Sequence, residues 1–448
     1  MRFTLTMVLA TLMVALSVPA FAELQNVEVG GSIRIRGNWV SQEAANVPQF
    51  AEGGNALDFV EQRSTVSVKA DFTNDVTAFI EIDSYETWGS SFRDSYVFGM
   101  NADAADASNN LDFYQAYIET RETFGYPVTA RIGRQEIVRG SEWLLGNNDT
   151  ASAFTGLSYD AITLNYAAET WNVTAIAAKL VETGSLEEDS DTDLYGLYSS
   201  FTGVENWTID AYWLYLRDAT THIIDEVNDV HTFGLRGNGT ISGFDIEAEL
   251  AYQVGGEDDI DYDAIGANLE IGYTFDVNYQ PRVFVGGALF EGGDDDELPF
   301  NRMLSDWEYS EFIDNTDLSN SVILRGGVSA QVTEKVDVLL ALTHFQADEE
   351  TSTPRLLGLL GNSSHDDNLG WELGLYLTYA YSEDLTVKAG YAHFFADDGV
   401  DNRDLSIFGL VYDRRVGGNL VNGNGLVLLG GADDQDADYV FVETSIKF

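Results

Sequence analysis

The stretch Asp438-Tyr439-Val440-Phe441-Val442-Glu443-Thr444-Ser445-Ile446-Lys447-Phe448 decides the fold. Val440, Val442, Thr444, Ile446 and Phe448 fall on one face, and Tyr439, Phe441, Glu443, Ser445 and Lys447 on the other. A period of two makes this a strand with one apolar and one mixed face. It stops on an aromatic residue. Such a strand suits the closing strand of an outer-membrane barrel, where the last strand pairs with the first and no edge remains. The competing reading is the edge strand of a soluble sandwich.

The other end points the same way. Arg2 precedes an apolar run from Leu5 to Val18, and Pro19-Ala20-Phe21-Ala22 follows. A basic start, an apolar core and a small-x-small ending predict a secretory signal over residues 1–22, which leaves 23–448 as one barrel domain. No later run offers about 18 successive apolar residues, so no transmembrane helix is expected. Cysteine is absent, which excludes disulfides, thiolate chemistry and Cys-based metal sites. The chain holds 74 Asp and Glu against 23 Lys and Arg, a formal charge of -51, which excludes nucleic acid as a partner. With 42 Gly, 6 Pro, 22 Tyr and 25 Phe, the composition fits many paired strands flanked by aromatic girdles.

Alternating segments recur along the chain. Ile33 and Ile35 alternate with Arg34 and Arg36; Val76, Ala78, Ile80 and Ile82 oppose Thr77, Phe79, Glu81 and Asp83; Leu369, Trp371, Leu373, Leu375 and Leu377 oppose Glu372 and Thr378. About 18 such segments can be counted, an even number in the bacterial barrel range. Every second connection is short: 73–75, 167–169, 202–206, 242–243, 333–335 and 381–384. The connections between them are mostly long and acidic: 41–58, 87–110, 137–156, 290–319, 347–368 and 396–437. Short periplasmic turns alternating with long extracellular loops are the layout of an outer-membrane barrel, and a sandwich has no reason to keep that parity. The apolar faces then meet lipid and the polar faces line a wet lumen.

The run Gly133-Arg134-Gln135-Glu136-Ile137-Val138-Arg139-Gly140-Ser141-Glu142-Trp143-Leu144-Leu145-Gly146 resembles the alginate export family of outer-membrane proteins. Leu157-Ser158-Tyr159-Asp160-Ala161-Ile162-Thr163-Leu164 and the segment Leu194 to Asp218 are similar to it as well. The resemblance implies a barrel of about 18 strands and export of an acidic polysaccharide such as alginate. Three positions depart from the family pattern. Arg139 stands for a Tyr, Trp143 for an Arg and Thr163 for an Arg, so two basic groups that the family implies near the pore are absent.

The function read from these features is a porin-like outer-membrane channel for passive transport of hydrophilic solutes. The alternatives are a plugged structural or surface-binding barrel and a barrel-embedded hydrolase. No Gly-x-Ser-x-Gly or His-Glu-x-x-His occurs, and His222, His231, His344, His365 and His393 are scattered near rims and loops, so no catalytic residue and no cofactor are expected. Candidate solute-binding residues are the lumen cations Arg34, Arg36, Arg63, Arg131, Arg236, Arg282, Arg325 and Lys388, with Arg134 and Arg139 beside Arg131. Acids gather on the third, fourth, eleventh and twelfth strands, so opposed charged walls are one expectation and mutual pairing the other. Arg134 is off the alternation of Thr129, Arg131 and Gln135. It needs a bulge, a rim position or a partner carboxylate such as Glu136. Loop 137–156, apolar at Trp143-Leu144-Leu145, is expected to fold inward as a constriction. The acidic runs Gly292 to Glu297 and Gly431 to Asp436 suggest divalent-cation contact without EF-hand spacing.

Overall fold

The computed structural model describes residues 24–42, 56–72, 75–88, 111–149, 156–182, 191–219, 228–257, 260–293, 297–311, 318–349, 367–397, 412–416, 419–423 and 436–448. Eighteen long strands run through them. They are β1 (Leu24–Gln42), β2 (Ala56–Phe72), β3 (Val76–Thr87), β4 (Asp112–Thr120), β5 (Val128–Gln135), β6 (Tyr159–Ala167), β7 (Trp171–Val181), β8 (Thr192–Val204) and β9 (Trp207–Asp218). The second half comprises β10 (Asn228–Ile241), β11 (Phe244–Glu257), β12 (Ile260–Thr274), β13 (Arg282–Phe290), β14 (Ser321–Thr333), β15 (Val336–Ala347), β16 (Asn368–Ala380), β17 (Leu385–Ala396) and β18 (Ala437–Lys447). Each pairs antiparallel with its neighbour in the chain, and β18 pairs with both β17 and β1. The sheet therefore closes, as the terminal strand predicts.

Five of the short connections fall where expected, and the sixth, 73–75, lies between β2 and β3 with residues 73 and 74 outside the described ones. Between β10 and β11, Ser242 and Gly243 have φ of 50° and 85°, the two positive values that a tight hairpin with matching twist requires. At the seam, Gly31 N donates to Phe448 O at 2.9 Å and Phe448 N donates to Gly31 O at 3.0 Å. A Cβ on Gly31 would lie 2.6 Å from Thr65 O and 2.8 Å from the Phe448 ring, so only glycine lets the last residue close on the first strand. The start of β1 and the end of β18 thus sit at the short-turn end, which is periplasmic in such barrels.

Two faces follow from the period of two. Val66, Val68, Leu250, Val285, Leu324 and Val442 stand exposed on the outside, where hydrocarbon covers them. Arg36, Asn38, Glu61, Arg63, Thr343, Glu372 and Glu443 stand buried on the inside. His231 stacks on Tyr215 (4.3 Å between centroids), His344 lies tilted against Trp371 (4.5 Å) and His393 packs edge-on to Phe395 (4.2 Å), so these histidines belong to an outer aromatic girdle. The signal segment 1–22, His222, His365, most of the connections 41–58, 87–110, 347–368 and 396–437, half of the acidic run 292–297 and most of the run 431–436 lie outside the described residues.

Candidate functional site: a two-segment plug over a charged lumen

Two connecting segments turn into the barrel. The first follows β5, over residues 136–149, and the second lies between β13 and β14, over residues 299–311. Trp143, Leu144 and Leu145 are at most 3% exposed, which bears out the inward fold expected of this apolar loop centre. They pack with Phe290, Phe300, Leu304, Tyr309 and inward residues near the strand ends, among them Ile137, Leu194, Ile323, Phe345 and Phe394. Backbone bonds lock the segments together: Gly146 N to Leu304 O (2.9 Å), Leu304 N to Leu144 O (3.1 Å) and Asp306 N to Glu142 O (2.8 Å). Trp143 Nε1 donates to Tyr309 Oη (3.0 Å), which donates to Asn268 Oδ1 on β12 (2.8 Å). The second segment was missed in the sequence. Its signal was of the same kind, since Phe300, Met303, Leu304, Trp307 and Tyr309 interrupt an otherwise acidic loop.

Beneath this plug the lumen is charged, and pairing prevails over opposed walls. Arg36 and Arg34 both reach Glu443 across the β1–β18 seam, at 2.7 and 2.9 Å. Arg63 contacts Asp83 (3.1 Å), Arg131 contacts Glu119 (2.8 Å), Arg236 contacts Asp210 (2.7 Å), and Arg282 contacts Asp245 and Glu270. Asp149 of the first segment is clasped by Arg63 (3.0 Å) and Arg34 (3.4 Å), which ties the plug to the wall. Thr163, at a position where the family pattern has Arg, donates to Gln135 Oε1 (2.9 Å) and carries no charge into the lumen.

Arg134 departs from the expected trio. It continues the alternation onto the outer face, opposite Asp160 on β6, and grips both carboxylate oxygens at 2.9 and 3.0 Å. It occupies a rim position with a partner carboxylate, which is Asp160 and not Glu136, and it does not line the lumen. Glu136 instead accepts from Tyr114 Oη (2.6 Å) and Asn147 Nδ2 (3.1 Å). Arg139 does point inward, beside Tyr198 and Arg131, yet pairs with neither Glu142 nor Asp149. Its NH1 donates to its own neighbour Val138 O (2.7 Å), and its buried Nε has no partner. Burial lowers its pKa from the ordinary arginine value.

Three of the ten predicted cations, Arg139, Arg325 and Lys388, form no ion pair among the described residues. Lys388 lines two cavities. One, of about 570 Å³, is bounded also by Arg34, Arg63, Glu81, Asp149 and Glu443. The other, of about 320 Å³, is bounded by Arg325, Glu308, Glu311, Glu372, Tyr376 and Phe441. The second segment is pinned there. Ser310 Oγ donates to Glu372 Oε2 (2.5 Å), and Glu311 N donates to Glu372 Oε1 (3.1 Å). Burial, with Glu308 and Glu372 close by, pushes the Glu311 carboxyl up to about 8, against the pull of Arg36 and Tyr376.

The fold recurs in solved structures from Pseudomonas aeruginosa. OccK9 (OpdG) superposes with a TM-score of 0.58 at 8% identity, covering 94% of this chain and 99% of that one. OpdL gives 0.57 at 10% identity with 94% and 99% covered, and OccK8 (OprE) gives 0.55 at 12% identity with 94% and 98% covered. No curated protein matches the chain in sequence. The family model described as alginate export matches residues 25–407. A closed barrel with a lipid-facing exterior, a charged lumen and this match together place the chain in the alginate export family, as an outer-membrane channel.

Proposed function

We propose that hydrophilic solutes, saccharide chains among them, cross this barrel passively, and that the two inward segments form the constriction. Arg325 and Lys388 meet an anionic group on the solute, because among the described residues neither forms an ion pair with a carboxylate. These two cations in the cavity walls are the observation that carries the reading. A guanidinium keeps its charge and grips a carboxylate bidentately, while the lysine acts as a point charge nearby. Export of an acidic polysaccharide is the finer reading that the family supports. Flow down a gradient needs no cofactor, and family and fold are those of channels, not catalysts. The dense packing of Trp143 and its neighbours favours one alternative, a permanently plugged structural barrel.

Planar-bilayer conductance with neutral, acidic and basic saccharides separates these readings. Replacing Arg325 and Lys388 by Gln is expected to lower anion-to-cation permeability and leave the folded yield unchanged. A wild-type barrel that conducts at no voltage supports the plugged alternative. A conducting double variant with unaltered selectivity removes these two residues from the filter.

A further inference from the structure

On the barrel strands, among the described residues, only three lysine or arginine side chains face outward: Arg134, Lys179 and Arg217. They are not scattered. The strand register sets them in one row with aspartates between: Arg134 opposite Asp160, Asp160 opposite Lys179, Lys179 opposite Asp193, Asp193 opposite Arg217, and Arg217 opposite Asp229. The row crosses β5 to β10 with strictly alternating sign. Neighbouring strands lie about 4.8 Å apart, so successive cations stand roughly 10 Å apart along the barrel wall. Two residues nearer the periplasm on β8, β9 and β10 come Tyr195, Tyr215 and His231, in register with one another and stacked. Such a girdle marks the membrane–water boundary, which puts the charged row at the depth of the outer-leaflet headgroups.

From this we infer that the outer face of β5 to β10 is a docking strip for phosphate-bearing lipid headgroups of the outer leaflet, with divalent cations bridging lipid phosphates to the interleaved aspartates. The chain has 23 basic residues against 74 acidic ones, so three cations in one outward row are a concentrated use of a scarce charge. Guanidinium and ammonium groups are the side chains that recognise phosphate oxygens. Arg217 is the least engaged by the protein, with Asp193 4.0 Å away, whereas Arg134 is held bidentately and is aimed by that grip. Asp160 is 56% exposed and keeps lone pairs for a hydrated cation. Asp229 accepts from Tyr215 Oη (2.6 Å), which joins the strip to the girdle beneath.

The test uses the full barrel in neutral detergent. Retention of diphosphorylated lipid A, and of its dephosphorylated form, is read by native mass spectrometry with magnesium or with EDTA. Wild type is expected to retain the phosphorylated lipid, at least tenfold less of it with EDTA, and little of the dephosphorylated form. The variant with Arg134, Lys179 and Arg217 all replaced by Gln should lose retention at least tenfold while keeping its heat-modifiable mobility. Should that variant fail to fold, Arg217→Gln alone serves, because it removes only a long contact, and a severalfold loss is expected. Equal retention of the two lipid forms, or unchanged retention by a folded variant, overturns the inference and leaves a row of ion pairs that neutralise one another.

Discussion

Replacing Trp143 by alanine tests whether the plug limits flow. The side chain is 1% exposed, with ring centroids 5.5 Å from Phe290 and 5.8 Å from Phe300. Truncating a buried tryptophan costs about 3–5 kcal/mol, lost contacts and cavity together. Tyr309 keeps Asn268 as its acceptor, so its hydroxyl proton is not orphaned and the cost lies near the lower end. At ~1.36 kcal/mol per tenfold, ~3 kcal/mol lowers the ratio of docked to released segment by more than a hundredfold. No strand hydrogen bond is touched, since Trp143 lies outside every ladder. The expected phenotype is a barrel with normal heat-modifiable mobility and larger or more frequent openings in planar bilayers. Phe233→Ala, which trims an outward ring, is the control and should conduct like wild type. A folded W143A barrel with wild-type conductance would refute the reasoning and put the resistance elsewhere in the lumen.

The docking of the second segment should depend on pH. Released, Glu311 returns toward an ordinary carboxylate near 4.5, and docked it titrates at about 8, so the docked form holds its proton longer. Docking then weakens by up to about tenfold per unit as pH rises between those values and is level above them, so conductance should climb through that window and lose this dependence in Glu311→Gln. Arg36→Met leaves buried Glu443 with Arg34 as its remaining partner and should destabilise the barrel by about 1.5–3 kcal/mol, as read from heat-modifiable mobility against temperature. Gly31→Val drives a side chain into Thr65 O and the Phe448 ring and should cut the folded yield, where an outward Val29→Ala does not.

The barrel was legible because its determinants are local. A period of two in the last eleven residues, repeated in segment after segment, assigns each side chain to lipid or lumen without knowledge of its partner. Loop 137–156 was legible for a related reason, since Trp143-Leu144-Leu145 cannot remain in water. The equivalent residues of the second segment are spread among acids from Phe300 to Tyr309, so no single run announces them. That the lumen charges pair was one of two expectations, but which partners meet was not legible. Arg36 meets Glu443 from the far end of the chain, and Arg63 meets Asp149 from a folded loop; both contacts depend on closure and on the plug. Arg134 was placeable from alternation alone, which already set it off the lumen face. Its proximity in sequence to Arg131 drew it into a group that the pleat divides.

Pairing also explains how few lumen cations are without an ion pair among the described residues. A buried ion costs several kcal/mol unless it is matched, so a lumen rich in arginine tends to use its arginines on itself. Arg34, Arg36, Arg63, Arg131, Arg236 and Arg282 all do so, and Asp149 extends the same economy to the plug. Arg325 differs because its register partners are Gly286 on β13 and Thr343 on β15, neither of which can neutralise it. Lys388 differs because Glu443, opposite it on β18, is already held by two arginines. Which cations stay without an ion pair among the described residues is therefore decided by the placement of acids, not by the number of bases. An added carboxylate should act accordingly: Thr343→Glu beside Arg325 ought to reduce anion permeability as far as removing the arginine does, and a variant that folds and keeps wild-type selectivity would show that Arg325 does not contact the solute.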